Sequence, residues 1–228
     1  MMPARASFFS AAYAIFRKDG LAEFRSRELI GSMGLFALLA VLIFSFALEL
    51  NRQARIESVS GVLWVTIVFA SILGLNRSMA MERDQGNLDA LLLAPISRSA
   101  VFAGKLAGNF VFTGVVGLLV ALVVTVLFNI PLASGWMLLL LVMGVLGFTT
   151  IGTMLAAMTV QTRARETLLP IVMLPIAVPL LLASVRATSY VLNNAAQEIW
   201  LPWLAILAVL DIIFLVLGVV LFEFVVEE

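Results

Sequence analysis

Cysteine and histidine are both absent from this chain of 228 residues. The first absence excludes disulfides, thiolate catalysis and iron–sulfur ligation, and the two together exclude the usual zinc sites. Histidine is also the commonest ligand of haem iron and the commonest proton shuttle. The sequence therefore predicts no catalytic residues, no metal ligands and no directly bound cofactor, so that any metal chemistry belongs to a partner.

Charged side chains are scarce as well, at 12% of the residues, whereas 63% are hydrophobic and the mean hydropathy is +1.13. A soluble domain is roughly half apolar and a quarter charged. The surplus of apolar residues must therefore face lipid, which predicts an integral membrane protein and not an enzyme. The 14 basic residues balance the 14 acidic ones, so no attraction to nucleic acid is expected.

Six stretches are long and apolar enough to cross a bilayer, for which about 20 residues are needed. The predicted fold is all-α, with a cytoplasmic or interfacial segment at 1–28 and a six-helix transmembrane domain at 29–226. A short irregular segment is expected before the last span. The predicted spans are 29–48, 58–76, 106–128, 135–160, 167–185 and 203–225.

The basic residues between these spans predict the orientation, because short cytoplasmic loops collect Lys and Arg. One side has five in the N-terminal segment, four in the second loop and two in the fourth, 11 in all. The opposite side has three, which are Arg52, Arg55 and Arg186. Both termini are therefore expected in the cytoplasm.

The N-terminal segment has five basic side chains and no uninterrupted apolar core, so a cleavable signal peptide is not expected. Its Lys18 and Arg25 lie on one side of a helical projection. Four aromatic residues share the opposite arc: Phe9, Tyr13, Phe16 and Phe24. This pattern favours an amphipathic helix in the cytoplasmic interface, with an ordinary solvated basic flank as the alternative.

The longest predicted cytoplasmic loop, 77–105, has the pattern of a docking segment. It begins with mixed charges, turns at a glycine, continues with leucines at helical spacing and stops at a proline. A short amphipathic helix is a common means of binding a soluble partner, although an interfacial connector would have the same pattern. The candidate residues are Glu82, Arg83, Gly86, Leu88, Leu91, Leu92 and Pro95.

Asp211 is the one acidic residue that interrupts the apolar run from Ile199 to Phe222, which supplies the sixth predicted span. A charge at the bilayer centre costs roughly 3 kcal/mol on insertion scales, so such a residue needs a reason. It either lines a polar cavity or subunit contact, or bonds to a Thr, Ser or backbone group and sets helix packing. Both interpretations remain open at the level of sequence.

The fifth predicted span contains three prolines, Pro170, Pro175 and Pro179. Each removes a backbone donor and bends a helix, which is tolerated where neighbouring groups satisfy the freed carbonyls. A kinked helix at a translocation interface would use them, and so would simple shape fitting. The sequence does not separate these two possibilities.

No nucleotide site is recognisable in the chain. A phosphate-binding loop needs an earlier glycine and a hydroxyl residue after its Gly-Lys pair, and Gly104-Lys105-Leu106 has neither. If transport is driven by ATP, the nucleotide must bind another polypeptide.

Three blocks of sequence resemble known transporters. The segment Glu82 to Lys105 resembles the cytoplasmic loop of type-two ABC exporter permeases. Two further blocks, Gly61 to Val65 with Leu75-Asn76-Arg77, and Leu174 to Leu181 with its two prolines, resemble the CcmB family more narrowly. Many members of that family would have Glu where Asn76 stands, so this chain departs from the family pattern at that position.

The resemblance implies the permease subunit of an ABC complex that acts in c-type cytochrome biogenesis. It would export haem or release a haem-loaded chaperone, with haem as a candidate cargo and ATP bound by a separate cytoplasmic ATPase subunit. The other implied partners are a haem-handling membrane protein, the haem chaperone, membrane lipid and a second copy of the permease. The implied location is the bacterial plasma (inner) membrane.

Three other functions remain compatible with the residues. A different type-two ABC exporter permease, for lipid, polysaccharide or drug, would share loop 77–105. A non-transporting membrane scaffold would be indicated if no ATPase copurified. A secondary transporter would need buried ionisable residues for ion coupling, for which Asp211 alone is thin support.

Overall fold

The computed structural model describes residues 7–48, 52–84, 96–159 and 165–225. Every regular element in these ranges is an α-helix. The predicted all-α fold is therefore confirmed for the part of the chain that is described. The helices are α1 (Phe8–Ser26), α2 (Glu28–Ala47), α3 (Arg52–Asp84), α4 (Arg98–Phe128), α5 (Gly135–Thr159), α6 (Arg165–Leu192) and α7 (Gln197–Val225).

Helices α2 to α7 are each long and apolar enough to cross a bilayer, whereas α1 is an additional helix before the first span. The protein is a multi-pass membrane protein, as its composition predicted. Several helices extend beyond the uncharged runs of the sequence. Helix α3 continues to Asp84 and α4 begins at Arg98, so both ends of the predicted loop 77–105 are helical. Helix α6 likewise continues to Leu192, which leaves only 193–196 before α7.

Two of the spanning helices form the interior of the bundle. In α3 and α5, 72% of the residues of the spanning segment are buried, compared with 17% in α7 and 22% in α2. Helix α5 contacts α4, α6 and α7, and α3 contacts α2, α4, α5 and α6. The outer helices therefore present most of their apolar surface to the outside of this chain.

Close contact between α3, α5 and α6 depends on Trp64 and Gly144. The Trp64 side chain is fully buried, and a Cβ atom at Gly144 would overlap its ring. The indole N–H of Trp64 donates a hydrogen bond to the Thr188 hydroxyl, 2.8 Å away. The small residue thus admits a large aromatic side chain into the interior, and the hydrogen bond satisfies its one polar atom.

Helix α1 lies against the first turns of α4 and meets α2 at a sharp turn. Its inward residues include Ala11, Ile15 and Glu23, which are buried. Its exposed residues include Phe9, Tyr13 and Phe24, from the aromatic arc identified in the sequence. The helix therefore has one face packed on the bundle and a separate aromatic face.

Candidate functional site

The structure covers only part of the segment that the sequence singles out for docking. Glu82 and Arg83 lie in the last turn of α3. The other five candidates lie outside the described residues, so their arrangement stays a prediction; they are Gly86, Leu88, Leu91, Leu92 and Pro95.

The helices on either side of that segment are both tied to the N-terminal helices by ion pairs. Arg77 of α3 pairs with Glu28, the first residue of α2. The ammonium of Lys105, in α4, lies 2.8 Å from a carboxylate oxygen of Asp19 in α1. Helix α3 therefore contacts the first residue of α2, and helix α4 contacts the middle of α1.

Asp211 lies near the middle of α7 and faces the interior of the chain. Its side chain is only 4% exposed, and a Cβ atom at Gly147 of α5 would overlap both its Oδ1 and the side chain of Leu180 in α6. Neither carboxyl oxygen has a hydrogen-bond partner among the residues described. Among the described residues, the buried hydroxyls of Thr66 in α3 and Ser184 in α6 also lack a hydrogen-bond partner.

This arrangement bears on the two interpretations of Asp211. A packing role was expected to rest on a bond to Thr, Ser or a backbone group, and the structure places no such partner at either oxygen within the described ranges. A buried carboxyl without a partner is costly, so the described residues do not support the hydrogen-bonded packing role, and the functional interpretation of Asp211 stays a prediction.

We therefore expect Asp211→Asn to leave assembly intact and to lower activity. The amide has nearly the same shape but cannot become charged, so the activity of the protein should fall about tenfold if the carboxyl serves a polar cavity, equivalent to about 1.4 kcal/mol. The measurement is activity at matched protein level in membranes. Equal activity would show that Asp211 serves packing alone.

The three prolines lie within α6, which is helical across all of them. Pro175 and Pro179 are on its exposed side, and Pro170 is half-buried. The buried side of the helix carries Leu180 and Thr188 instead. The prolines of α6 thus mark the surface of the chain, so a role at a translocation interface would require that surface to meet another subunit.

Two acidic residues of α1 were missed by the sequence analysis. Asp19 pairs with Lys105, and the Glu23 carboxylate accepts hydrogen bonds from the backbone N–H groups of Leu29 and Ile30, at 3.2 and 2.8 Å. The distribution of basic residues predicted only that Lys105 lies on the cytoplasmic side. Asp19 and Lys105 are 86 positions apart, so no local spacing pattern could have connected them.

Comparison with known proteins identifies the family. A family model described as "CcmB protein" matches residues 10–226, which includes all but the ends of the chain. The chain belongs to the CcmB family. The seven helices formed by the described residues therefore all lie within the CcmB match, except for the first two residues of α1.

The relatives found among curated proteins all carry the name "Heme exporter protein B". That of Rhodobacter capsulatus is 31% identical over 179 residues, covering 77% of this chain and 82% of the relative. That of Paracoccus denitrificans is 30% identical, covering 68% and 72%. That of Bradyrhizobium diazoefficiens is 26% identical but covers 92% and 94%.

The blocks that resemble CcmB proteins occupy different environments in the fold. Trp64, from the first block, is buried and hydrogen-bonded between α3, α5 and α6. Asn76, which precedes Arg77 in the same block, is half-buried. The two prolines of the later block are exposed on α6. The family pattern thus combines interior packing with an outward surface.

Proposed function

We propose that this chain is the permease subunit of an ABC transporter that exports haem, or releases a haem-loaded chaperone, during c-type cytochrome biogenesis. The observation that carries the proposal is the CcmB match over residues 10–226, with relatives named as haem exporters at up to 31% identity. The six spanning helices suit a permease. The chain itself is not an enzyme in this proposal.

ATP hydrolysis belongs to a separate cytoplasmic ATPase subunit. The sequence has no phosphate-binding loop, and its Gly104-Lys105 pair lies inside α4 with Lys105 committed to an ion pair. The segment between α3 and α4 is the proposed docking site, because it presents leucines at helical spacing beside Glu82 and Arg83. Motion of the ATPase would be transmitted to the bundle through α3 and α4.

Haem is the proposed cargo of the complex and not a group ligated by this subunit. The sequence has no histidine or cysteine, so it offers neither imidazole nor thiolate to the iron. A haem-handling membrane protein and a haem chaperone are the proposed partners that supply those ligands. Permease movement would then drive transfer or release between them.

A second copy of the permease and membrane lipid are proposed to cover the outer helices. Their exposed apolar side chains form long stripes that would be unstable in water. On α2 they include Leu35, Leu39, Ile43 and Phe46, and on α7 they include Ile206, Val209, Ile212, Val216 and Val220. The proposed location is the bacterial inner membrane.

The test is complementation combined with purification in mild detergent. Expressed in a bacterium that lacks its own CcmB protein, the chain should restore covalent c-type cytochromes and copurify with the ABC ATPase of the same system. An empty vector is the control for background maturation. If the chain is present in the membrane but neither restores cytochromes nor copurifies with the ATPase, a different exporter or a scaffold would be favoured.

The proposed topology places both termini in the cytoplasm, on the basis of the 11-to-3 distribution of basic residues. Reporter fusions near Gln85 and Arg163 should then report a cytoplasmic position, and fusions near Ser134 and Asn194 an external one. Accessibility of introduced cysteines to a membrane-impermeant reagent gives an independent measurement, since the natural chain has none. A C-terminus found outside would contradict the proposed number of crossings.

A further inference from the structure

We propose that α1 and the beginning of α2 form a lever that is fixed to both ends of the ATPase-docking segment, with Asp19 and Lys105 as its positioning residues. This inference rests on the proposed function, because it assigns a route by which motion of that segment reaches the first span. The four contacts that carry it all lie within the described residues.

The first contact is the buried ion pair between α1 and α4. The side chains of Lys105 and Asp19 are 4% and 11% exposed, and Lys105 Nζ lies 2.8 Å from Asp19 Oδ2. Lys18 Nζ lies 3.5 Å from the other carboxylate oxygen. A buried pair of opposite charges resists separation, since each charge left alone would be desolvated without compensation. The pair therefore sets the position of α1 along α4.

The second contact is a close approach of the two backbones one residue before Lys105. A Cβ atom at Gly104 would lie 2.7 Å from the carbonyl oxygen of Ala12 and 2.8 Å from Cβ of Ile15. Both of those atoms are in or next to the α1 backbone and cannot move aside as a flexible side chain would. Only glycine at 104 lets α1 lie this close to α4.

The third contact makes α1 and α2 one rigid elbow. A single residue, Arg27, separates the two helices and has a left-handed backbone with φ of 53°. Glu23 of α1 then accepts hydrogen bonds from the N–H groups of Leu29 and Ile30, which begin α2. A carboxylate in this position accepts hydrogen bonds from the free N–H groups and interacts favourably with the positive end of the helix dipole. These interactions fix the angle between α1 and α2.

The fourth contact joins the elbow to the other side of the docking segment. Glu28, at the elbow, pairs with Arg77 of α3, and α3 continues from there to Asp84. The segment 85–97 between α3 and α4 therefore has both of its flanking helices attached to the same elbow. A displacement that tilts the end of α3 or the beginning of α4 would therefore act on the elbow through these contacts, of which the exposed Glu28–Arg77 pair is the weakest.

Two variants test the lever without removing the docking segment. Asp19→Asn with Lys105→Gln removes both charges of the pair, so neither of these two side chains is left charged opposite a neutral one. Gly104→Ala separates α1 from α4 sterically. Each should keep its membrane level and its copurified ATPase, yet lower cytochrome c maturation per assembled complex by about tenfold, within the range that coupling between sites has in proteins.

Matched controls lie on the same helices. Gly114→Ala, also in α4, adds a Cβ atom that meets nothing within 4 Å. Arg25→Gln removes a charge from the exposed side of α1. Both should mature cytochromes at the natural level. Reversing the pair, with Asp19→Lys and Lys105→Asp together, should recover most of the activity lost on neutralising it. The reversed chain also carries Lys18→Gln, because Lys18 lies 3.5 Å from the Asp19 carboxylate and would repel a lysine at position 19.

Three outcomes would overturn the lever. Normal maturation in both test variants would show that the α1–α4 contact transmits nothing. Loss of the ATPase from the complex would show that Asp19 and Lys105 serve assembly instead. If the reversed pair does not restore activity at a normal protein level, the loss of activity does not come from the attraction between residues 19 and 105. The proposed function fails differently, since the natural chain would then neither bind the ATPase nor restore cytochromes.

Discussion

A chain that carries both Leu88→Asp and Leu92→Asp is expected to insert normally and to lose its ATPase partner. The two leucines lie on one side of the helix predicted for this segment, and burial of two leucines in a groove of the partner contributes about 3–6 kcal/mol. Two aspartates would replace that gain with the cost of burying charge. Copurification of the ATPase should disappear, and cytochrome c maturation should stop.

The matched control places the same charges on the opposite side of the predicted helix, as Ala90→Asp with Leu93→Asp. Copurification should then persist, which separates loss of a docking surface from added negative charge. Arg83→Glu should weaken binding less than the double leucine change, because it removes one charge-assisted hydrogen bond. If the Leu88 and Leu92 variant still binds its ATPase, docking must use another surface, such as the N-terminal helix or 163–166.

Truncation of the fully buried Trp64 should strongly lower the stability of the bundle. Trp64→Ala leaves a cavity between α3, α5 and α6 beside Gly144, and it leaves the Thr188 hydroxyl without its donor. Loss of a large buried aromatic side chain costs about 3–5 kcal/mol. The expected result is a corresponding fall in the free energy of unfolding in detergent and a lower protein level in membranes.

Trp136→Ala is the matched control for this change. The Trp136 side chain is 43% exposed, although its ring contacts that of Trp200 with centroids 4.8 Å apart. Its removal should therefore cost clearly less than removal of Trp64. Equal losses for the two tryptophans would show that interior packing around Trp64 does not dominate the stability of the bundle.

The boundaries of the helices illustrate how far the sequence reaches. Uncharged runs located all six spans, because a bilayer requires about 20 apolar residues whatever surrounds them. The run for α3 ended too early, at Arg77, and the run for α4 began too late, at Lys105. Backbone hydrogen bonds continue a helix past the lipid wherever side chains allow it, so a charge marks the edge of the apolar run and not the end of the helix.

The sequence could not predict which residues face the interior of the bundle. Spanning helices are apolar on all sides, and lipid is as apolar as a protein interior, so hydrophobic periodicity does not show which face turns inward. Trp64 and the prolines of α6 were recognised as family features, but only the fold buries the first and exposes Pro175 and Pro179.

By itself, the sequence determined the class of protein, the number of spans, the absence of histidine and cysteine chemistry, and the resemblance to CcmB proteins. These depend on composition and on short blocks, which every fold of the chain would share. Only the tertiary structure decided that Lys105 meets Asp19, that Glu23 caps α2 and that Asp211 lies without a partner among the described residues. Such contacts join helices far apart in the chain, and their energies arise only when packing excludes water and lipid from between them.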